Sequence, residues 1–280
     1  MGSKILRKEQ LAPEVFLMEL NAPEIARKHR AGQFIILRVN DRGERIPLTV
    51  ADKNPDKGTI TLIFQVVGKT TMMLSDLNTG EEISDLVGPL GNPTEVEYFG
   101  TVVCIGGGVG VAPLYPIAKA LKQAGNHLVS IIGARSANLL ILEEEMNAIS
   151  DRLEITTDDG TKGFHGFVSE VLKKMIDRGE KIDLVIAIGP VPMMKAVVKL
   201  TKETGLKTIV SLNPIMIDGT GMCGGCRVLV GGQTKFACVD GPEFDGQLVD
   251  FDNLTARLKT YREMEDLSKE HYCEQKRKGQ

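Results

Sequence analysis

The chain has 280 residues, of which 42% are hydrophobic and 25% are charged, and its formal net charge is −3 at pH 7. This length suits about two domains with room for a small third, and the slightly acidic balance argues against partners such as nucleic acid or anionic lipid. Because we find neither an apolar signal-peptide run nor a membrane-spanning stretch of ~18 apolar residues, we expect no membrane contact and a cytoplasmic location.

The first part of the chain, residues 1–98, is predicted to form short β-strands. Runs rich in β-branched and aromatic residues are separated by Gly, Pro, Asn and Asp. The clearest runs are Val15–Met18, Gln33–Val39 and Thr59–Val67. This pattern is typical of an antiparallel barrel.

From residue 99 to residue 212, predicted strands alternate with predicted helices. The strands are Thr101–Ile105, His127–Gly133, Leu153–Thr156, Asp183–Ile188 and Thr208–Leu212. The helices run from the glycine loop through Leu121 and over Leu139–Ile149, Val168–Arg178 and Val191–Thr204. Such alternation predicts a parallel α/β sheet that is covered on both faces.

Residues 213–250 hold three of the five cysteines on a glycine-rich segment, for which we predict little regular structure. The two-residue gap between Cys223 and Cys226 suits two sulfurs on one metal, and Cys238 follows later. Plant-type [2Fe–2S] loops have the spacing Cys-x4-Cys-x2-Cys and then a distant Cys, and Asp218 occupies the first of these positions. The spacing indicates an iron–sulfur cluster, while a Cys3Asp zinc site stays open as the alternative.

Residues 251–280 are strongly charged, with Leu254, Leu258, Tyr261 and Met264 at helical spacing. We predict a helical tail whose apolar stripe contacts a partner protein.

A glycine loop, Gly106–Pro113, follows the first strand of the alternating region. The lack of side chains lets a phosphate approach the backbone amides, and the next helix points its positive end at the same place. The strand–glycine–helix context therefore indicates a nucleotide site. Gly133–Ser136, Thr157–Gly160 and Gly189–Met194 follow other predicted strands and are expected on the same rim of the sheet.

Several short segments together resemble the ferredoxin-reductase-like flavoproteins, and more closely the electron-transfer subunit of type B dihydroorotate dehydrogenase. They are Ala31–Phe34, Arg45–Thr49, Val67–Thr71, Gly88–Asn92, the glycine loop and Phe236–Pro242. The resemblance implies an FAD-binding β-barrel (residues 1–98), an NAD(H)-binding α/β domain (residues 99–212) and a small [2Fe–2S] region (residues 213–250), followed by the tail.

The resemblance also implies roles for single residues, with Thr49 at the edge of the isoalloxazine and Pro47 and Leu48 on the ring. The implied FAD set is Arg45, Pro47, Leu48, Thr49, Gly68, Lys69, Thr70 and Thr71. Arg45 stands one residue before the usual Arg position, which is Ile46 here, and is still expected to reach the FAD pyrophosphate. The implied NAD set is Gly107, Gly108, Gly110, Ala112, Pro113, Arg135, Asp158, Gly189, Pro190 and Met193.

The implied cluster ligands are Asp218, Cys223, Cys226 and Cys238. The type B subunit has Cys at the first of these positions, so Asp218 is a departure. Asp218 either ligates iron through a carboxylate oxygen or is a surface loop residue, and we expect ligation.

The departure at Asp218 and the tail resemble another family better, the small subunits of NADH-dependent reduced ferredoxin:NADP+ oxidoreductases. That resemblance implies an NAD(H)-dependent flavin and iron–sulfur oxidoreductase that passes single electrons to a larger subunit in an electron-bifurcating heterodimer. The larger subunit carries a second FAD and [4Fe–4S] clusters and handles ferredoxin and NADP(H).

Three alternative functions stay open: the dihydroorotate dehydrogenase subunit, a stand-alone ferredoxin-type reductase, and a non-enzymatic module that binds nucleotide and zinc. The choice between NAD and NADP is also open, because Arg135 follows the second α/β strand, where a 2′-phosphate could sit.

Overall fold

The computed structural model describes residues 2–41 and 43–278, and its N-terminal part is the predicted antiparallel barrel. Seven strands form a near-closed sheet in the order β6-β1-β2-β5-β4-β3-β7. The strands are β1 (Ser3–Ala12), β2 (Val15–Asn21), β3 (Phe34–Arg38), β4 (Arg45–Asn54), β5 (Thr59–Gln65), β6 (Glu82–Ile83) and β7 (Asp85–Leu90). Two helices accompany them, α1 (Pro23–Lys28) and α2 (Lys69–Asp76). The interior is closed by fully buried apolar side chains such as Leu20, Ile35 and Leu62.

The second sheet has the order β11-β10-β9-β8-β12-β13-β16 and is parallel except at its β13–β16 edge. Its strands are β8 (Thr101–Gly107), β9 (His127–Ala134), β10 (Arg152–Thr157), β11 (Phe164–His165), β12 (Leu184–Ile188), β13 (Thr208–Ser211) and β16 (Glu243–Asp245). The helices that cover it are α3 (Val111–Gln123), α4 (Glu143–Ile149), α5 (Val168–Asp177) and α6 (Val191–Thr204). The predicted parallel α/β sheet is therefore confirmed.

Strand β8 is apolar along its length because helices cover both of its faces. Val103 and Ile105 pack into one apolar cluster, with residues of α5 and α6, whereas Val102 and Cys104 pack into another, with residues of α3. The chain moves from β8 to β9 on one side and later reaches β12 on the other side. Open α/β sheets bind ligands beyond the carboxyl ends of the strands at such a switch point.

Two sequence predictions of local structure are wrong. The helix predicted over Leu139–Ile149 is limited to Glu143–Ile149, because Leu142 has a φ of 55°, a left-handed conformation that a continuing helix does not tolerate. Residues 213–250 hold more regular structure than predicted: an antiparallel hairpin of β14 (Arg227–Val230) and β15 (Gln233–Phe236), and strand β16. Pairing with β13 gives β16 the hydrogen-bond partners that it lacks locally.

The tail forms two helices, α7 (Phe251–Leu258) and α8 (Arg262–Arg277). Leu254 is buried and Leu258 packs against the same apolar cluster, whereas Met264 is 68% exposed. The predicted stripe is thus divided by the break between the helices. Across the part of the chain that the structure describes, no helix has both the length and the apolar character needed to cross a membrane.

Candidate active site

A cavity of about 940 Å³ lies between the barrel and the parallel sheet and brings together most of the predicted cofactor residues. The predicted residues that line it are Pro47, Leu48, Thr49, Thr71, Gly107, Gly108, Gly110, Pro113, Arg135, Asp158, Gly189, Pro190 and Met193. Five predicted residues are not part of its lining: Arg45, Gly68, Lys69, Thr70 and Ala112. One space therefore touches both the barrel and the nucleotide loop.

Strand β4 supplies the barrel side of the cavity. Ile46, Pro47, Leu48 and Thr49 all line it, and β4 is held between β3 and β5. These residues offer a mostly apolar wall with one hydroxyl, which suits a flat aromatic ring with polar edges.

The turn between β5 and α2 has a hydroxyl-capped geometry. The Oγ1 atom of Thr71 accepts hydrogen bonds from the backbone N–H groups of Val67 (2.9 Å) and Gly68 (3.0 Å). A Cβ atom added to Gly68 would meet no other atom within 4 Å. The N-terminus of α2 thus opens onto free space, and the binding of FAD phosphates at this turn stays a prediction.

The reach of Arg45 towards the FAD pyrophosphate stays a prediction, and Arg45 is not part of the cavity lining. A guanidinium nitrogen of Arg45 lies 4.0 Å from a carboxylate oxygen of Asp85 on β7, and Arg38 forms a 2.6 Å ion pair with the same carboxylate. The neighbouring residue Ile46 lines the cavity. In the turn between β5 and α2, the Thr70 hydroxyl donates a 3.4 Å hydrogen bond to the Glu44 carboxylate.

The nucleotide side of the cavity is shaped by the close approach of two glycine segments. A Cβ atom at Gly110 would lie 2.5 Å from the carbonyl oxygen of Ile188 and 2.7 Å from the Cα atom of Gly189. Gly108 has a φ of +56°, and no atom lies within 4 Å of its Cβ position. Gly110 therefore allows the two loops to touch, and Gly108 leaves the room that a dinucleotide phosphate needs before α3.

Arg135 and Asp158 follow β9 and β10 on the same rim, and both are exposed and line the cavity. The exposed ring of Phe167 lies on this side as well, and sequence reasoning missed it. An aromatic residue just before a helix has no sequence pattern that marks it as a ligand contact.

The cysteine-rich loop brings two of its four predicted ligands into contact. The Sγ atoms of Cys226 and Cys238 are 3.2 Å apart, and both residues are buried. Burial and the hydrogen bond from Cys226 raise the pKa of the Cys238 thiol to about 12. The Cys238 thiol therefore stays protonated at neutral pH unless a metal replaces its proton.

Asp218 and Cys223 form the other half of the loop. The Asp218 carboxylate accepts backbone hydrogen bonds from Thr220 (2.9 Å) and Cys223 (2.8 Å), and these lower the pKa of Asp218. Cys223 is exposed, and the thiol of Cys226 contacts the thiol of Cys238 and not that of Cys223. Over residues 2–41 and 43–278, no three Cys, His, Asp or Glu side chains converge as a metal site. Thiols and an ionised carboxylate on one loop are donors that suit iron.

The cysteine-rich region also contributes to the cavity. Pro214, Met216 and Pro242 line it, and Met216 is two residues from Asp218 in the chain. Gly219 sits close to the barrel, since a Cβ atom there would lie 2.6 Å from Leu90. Sequence reasoning missed these lining residues, although the Phe236–Pro242 segment is among those that carry the family resemblance.

The chain matches known proteins over almost its whole length. Residues 104–199 match the model of the oxidoreductase NAD-binding domain, and residues 213–250 match the iron–sulfur cluster binding domain of dihydroorotate dehydrogenase B. A Thermotoga maritima homologue of the dihydroorotate dehydrogenase B (NAD(+)) electron transfer subunit is 50% identical over 270 residues, 96% of this chain and 95% of that protein. The corresponding subunit of Desulforamulus reducens is 33% identical over 86% of this chain and 95% of its own length.

A solved structure of an NADH-dependent reduced ferredoxin-NADP oxidoreductase, studied for flavin-based electron bifurcation, superimposes with a TM-score of 0.92. It is 49% identical in sequence, with coverage of 97% of this chain and 98% of that chain.

The fold and the site define an NAD(H)-dependent flavin and iron–sulfur oxidoreductase of the ferredoxin-reductase-like class, with FAD, an iron–sulfur cluster and NAD(H) as its cofactors. The chain belongs to the family of dihydroorotate dehydrogenase B electron transfer subunits and their homologues.

Proposed function

We propose that this chain is the small electron-transfer subunit of an electron-bifurcating NADH-dependent reduced ferredoxin:NADP+ oxidoreductase. It exchanges hydride with NAD(H) and passes single electrons to a larger subunit that holds a second FAD and [4Fe–4S] clusters. That larger subunit acts on ferredoxin and NADP(H). The observation that carries the proposal is the shared cavity, whose wall combines the barrel, the nucleotide loop and the residues beside the cysteine loop.

On the barrel side, the residues position the flavin. When bound, FAD accepts a hydride and releases electrons singly, which is the conversion that this subunit needs. Pro47 and Leu48 provide an apolar surface for the ring, and the Thr49 hydroxyl is available for a polar edge. The backbone amides of Lys69 and Thr70, the first two residues of α2, would face the FAD phosphates.

On the opposite side, the glycine loops hold the pyridine nucleotide. Gly107, Gly108 and Gly110 let its phosphates approach the N-terminus of α3, which supplies positive potential. Met193 packs against Gly107 and Gly189. Gly189 and Met193 would therefore limit how far the nicotinamide ring enters the cavity. We propose NADH rather than NADPH as the substrate, because the 49% identical oxidoreductase structure is that of an NADH-dependent enzyme.

The cysteine loop would hold the [2Fe–2S] cluster through Asp218, Cys223, Cys226 and Cys238. The buried pair of Cys226 and Cys238 offers two thiolates to one iron, and the exposed half of the loop offers Asp218 and Cys223 to the other. Met216 and Pro242 connect this loop to the flavin cavity through a short stretch of chain, which supports direct electron transfer between the two centres.

The second candidate function, the electron-transfer subunit of dihydroorotate dehydrogenase, is favoured by the family match over residues 213–250. Against it stand Asp218 at the first ligand position and the identity to the Desulforamulus reducens subunit, 33% compared with 49% for the oxidoreductase structure. The 50% identical Thermotoga maritima protein is described as a homologue of that subunit. We also propose the domain boundaries 1–98, 99–212, 213–250 and 251–280. Because its substrate is NAD(H), we propose that the protein is located in the cytoplasm.

The test is to purify the chain under anaerobic conditions through a tag and to identify the protein that accompanies it. We expect a larger subunit with flavin and [4Fe–4S] clusters to co-purify with the chain. We also expect the complex to reduce NADP+ in a reaction that depends on NADH and reduced ferredoxin. Recovery of a dihydroorotate-oxidising partner would favour the second candidate. A colourless protein with bound zinc would refute both.

A further inference from the structure

The C-terminal helix α8 lies against the barrel helix α2 and is held there by polar contacts. The Asp76 carboxylate, at the end of α2, accepts hydrogen bonds from the Tyr272 hydroxyl (2.9 Å) and from the Lys276 ammonium group (2.6 Å). No described residue of α8 is buried. The position of α8 therefore depends on charges and hydrogen bonds, not on an apolar interface.

The packing of α8 on α2 also places a cation beside the Val67–Thr71 turn. The Nζ atom of Lys269 lies 3.4 Å from the carbonyl oxygen of Val67, the first residue of the Val67–Thr71 turn. Among the ion pairs of the described residues, none includes Lys269. Its ammonium group thus donates to a carbonyl oxygen at the turn and keeps further N–H donors that can bind an anion there.

A carboxylate near the Val67–Thr71 turn would repel a bound diphosphate, and a cation from a distant segment would offset this repulsion. Arg45, the expected barrel cation, lies 4.0 Å from the Asp85 carboxylate, and Glu44 places a carboxylate beside Thr70. A diphosphate at the start of α2 would face this carboxylate. Lys69 is the cation within the turn, and Lys269 is a second one supplied by α8.

We infer that α8 completes the FAD site, with Lys269 binding the FAD phosphates at the Val67–Thr71 turn and Asp76 holding the helix in place. The inference rests on the proposed function, because it needs FAD phosphates at this turn. Charge-assisted hydrogen bonds to phosphate are among the stronger polar contacts, so the loss of Lys269 should weaken FAD binding measurably.

The experiment compares FAD binding by the full-length wild-type chain and three variants: Lys269→Met, Asp76→Asn and the control Lys259→Met. Flavin fluorescence measures the dissociation constant of FAD for deflavinated protein at low and high salt. We expect Lys269→Met to raise the constant about tenfold at low salt, as the loss of one charge-assisted contact implies. Asp76→Asn should raise it less, and Lys259→Met should leave it unchanged. High salt should reduce the difference between Lys269→Met and wild type.

Wild-type affinity and salt dependence in both Lys269→Met and Asp76→Asn would overturn the inference while leaving FAD binding by the chain intact. If the wild-type chain does not bind FAD, the proposed function itself fails. Equal loss of affinity in Lys259→Met would show a general charge effect and would also overturn the specific role of Lys269. Far-UV circular dichroism of each variant checks that the fold is unchanged.

Discussion

Replacing Glu243 with Gln should remove a loss of stability that the wild-type chain undergoes as the pH rises. Glu243 lies on β16, where its Oε1 atom accepts a 2.6 Å hydrogen bond from the Thr94 hydroxyl. A Cβ atom at Gly32 of the barrel would lie 2.8 Å from the same oxygen. The carboxyl group is therefore enclosed where the barrel, the connecting segment and the edge of the parallel sheet meet.

Burial raises the pKa of Glu243 from its ordinary value of 4.5 to about 7, and the hydrogen bond from Thr94 opposes that rise. The folded state thus holds the proton more tightly than the unfolded state. Between pH 4.5 and pH 7 the unfolded state releases this proton first, so stability falls as the pH rises. A shift of this size corresponds to at most about 3 kcal/mol in the free energy of unfolding.

The assay is urea unfolding of wild type, Glu243→Gln and Thr94→Val at pH 5 and pH 8, followed by circular dichroism. Gln cannot ionise, so Glu243→Gln should gain stability relative to wild type at pH 8 and not at pH 5. Thr94→Val loses the opposing hydrogen bond, so its stability should fall more steeply with pH than that of wild type. A constant difference in unfolding free energy between Glu243→Gln and wild type at the two pH values would show that Glu243 does not titrate with a raised pKa in the folded state.

Three further predictions concern other parts of the chain. Burial lowers the pKa of His29 from 6.5 to about 4, so the unfolded state takes up a proton first as the pH falls below 6.5. His29→Gln should therefore lessen this acid destabilisation, which amounts to up to about 3 kcal/mol, in the same urea assay. Parallel curves of stability against pH for His29→Gln and wild type would contradict this. Gly110→Ala should raise the KM for NADH about tenfold or more, because its Cβ atom meets the Ile188 carbonyl, and an unchanged KM in steady-state kinetics would contradict the close approach of the loops. Asp218→Cys should lower the midpoint potential of the cluster by on the order of tens of millivolts, because a thiolate donates more charge to iron than a carboxylate; equal midpoints in a redox titration would remove Asp218 from the ligands.

The parallel sheet was predictable because its central strands β8, β9 and β12 are apolar and buried and because predicted helices alternate with the strands. The β14–β15 hairpin also has a local signal, Gly231-Gly232 between two short strands, and was missed because the cysteines favoured an irregular loop. Strand β16 was not predictable, since three residues gain their structure only by pairing with β13.

The candidate site shows the same division between local and distant information. Pro47, Leu48 and Thr49 follow from a short motif and line the cavity. The orientation of Arg45 depends on Asp85 across the sheet, and the contact of Lys269 with Val67 joins residues 202 positions apart. Contacts of this kind come from tertiary packing and leave no pattern in the sequence.

The most direct test of the central claim is an anaerobic titration of the purified chain with NADH, followed by absorbance and by electron paramagnetic resonance. We expect NADH to bleach the flavin absorbance and the signal of a reduced [2Fe–2S] cluster to develop in the same titration, with NADPH much less effective. Bleaching of the flavin without any cluster signal, or no bleaching at all, would contradict the central claim.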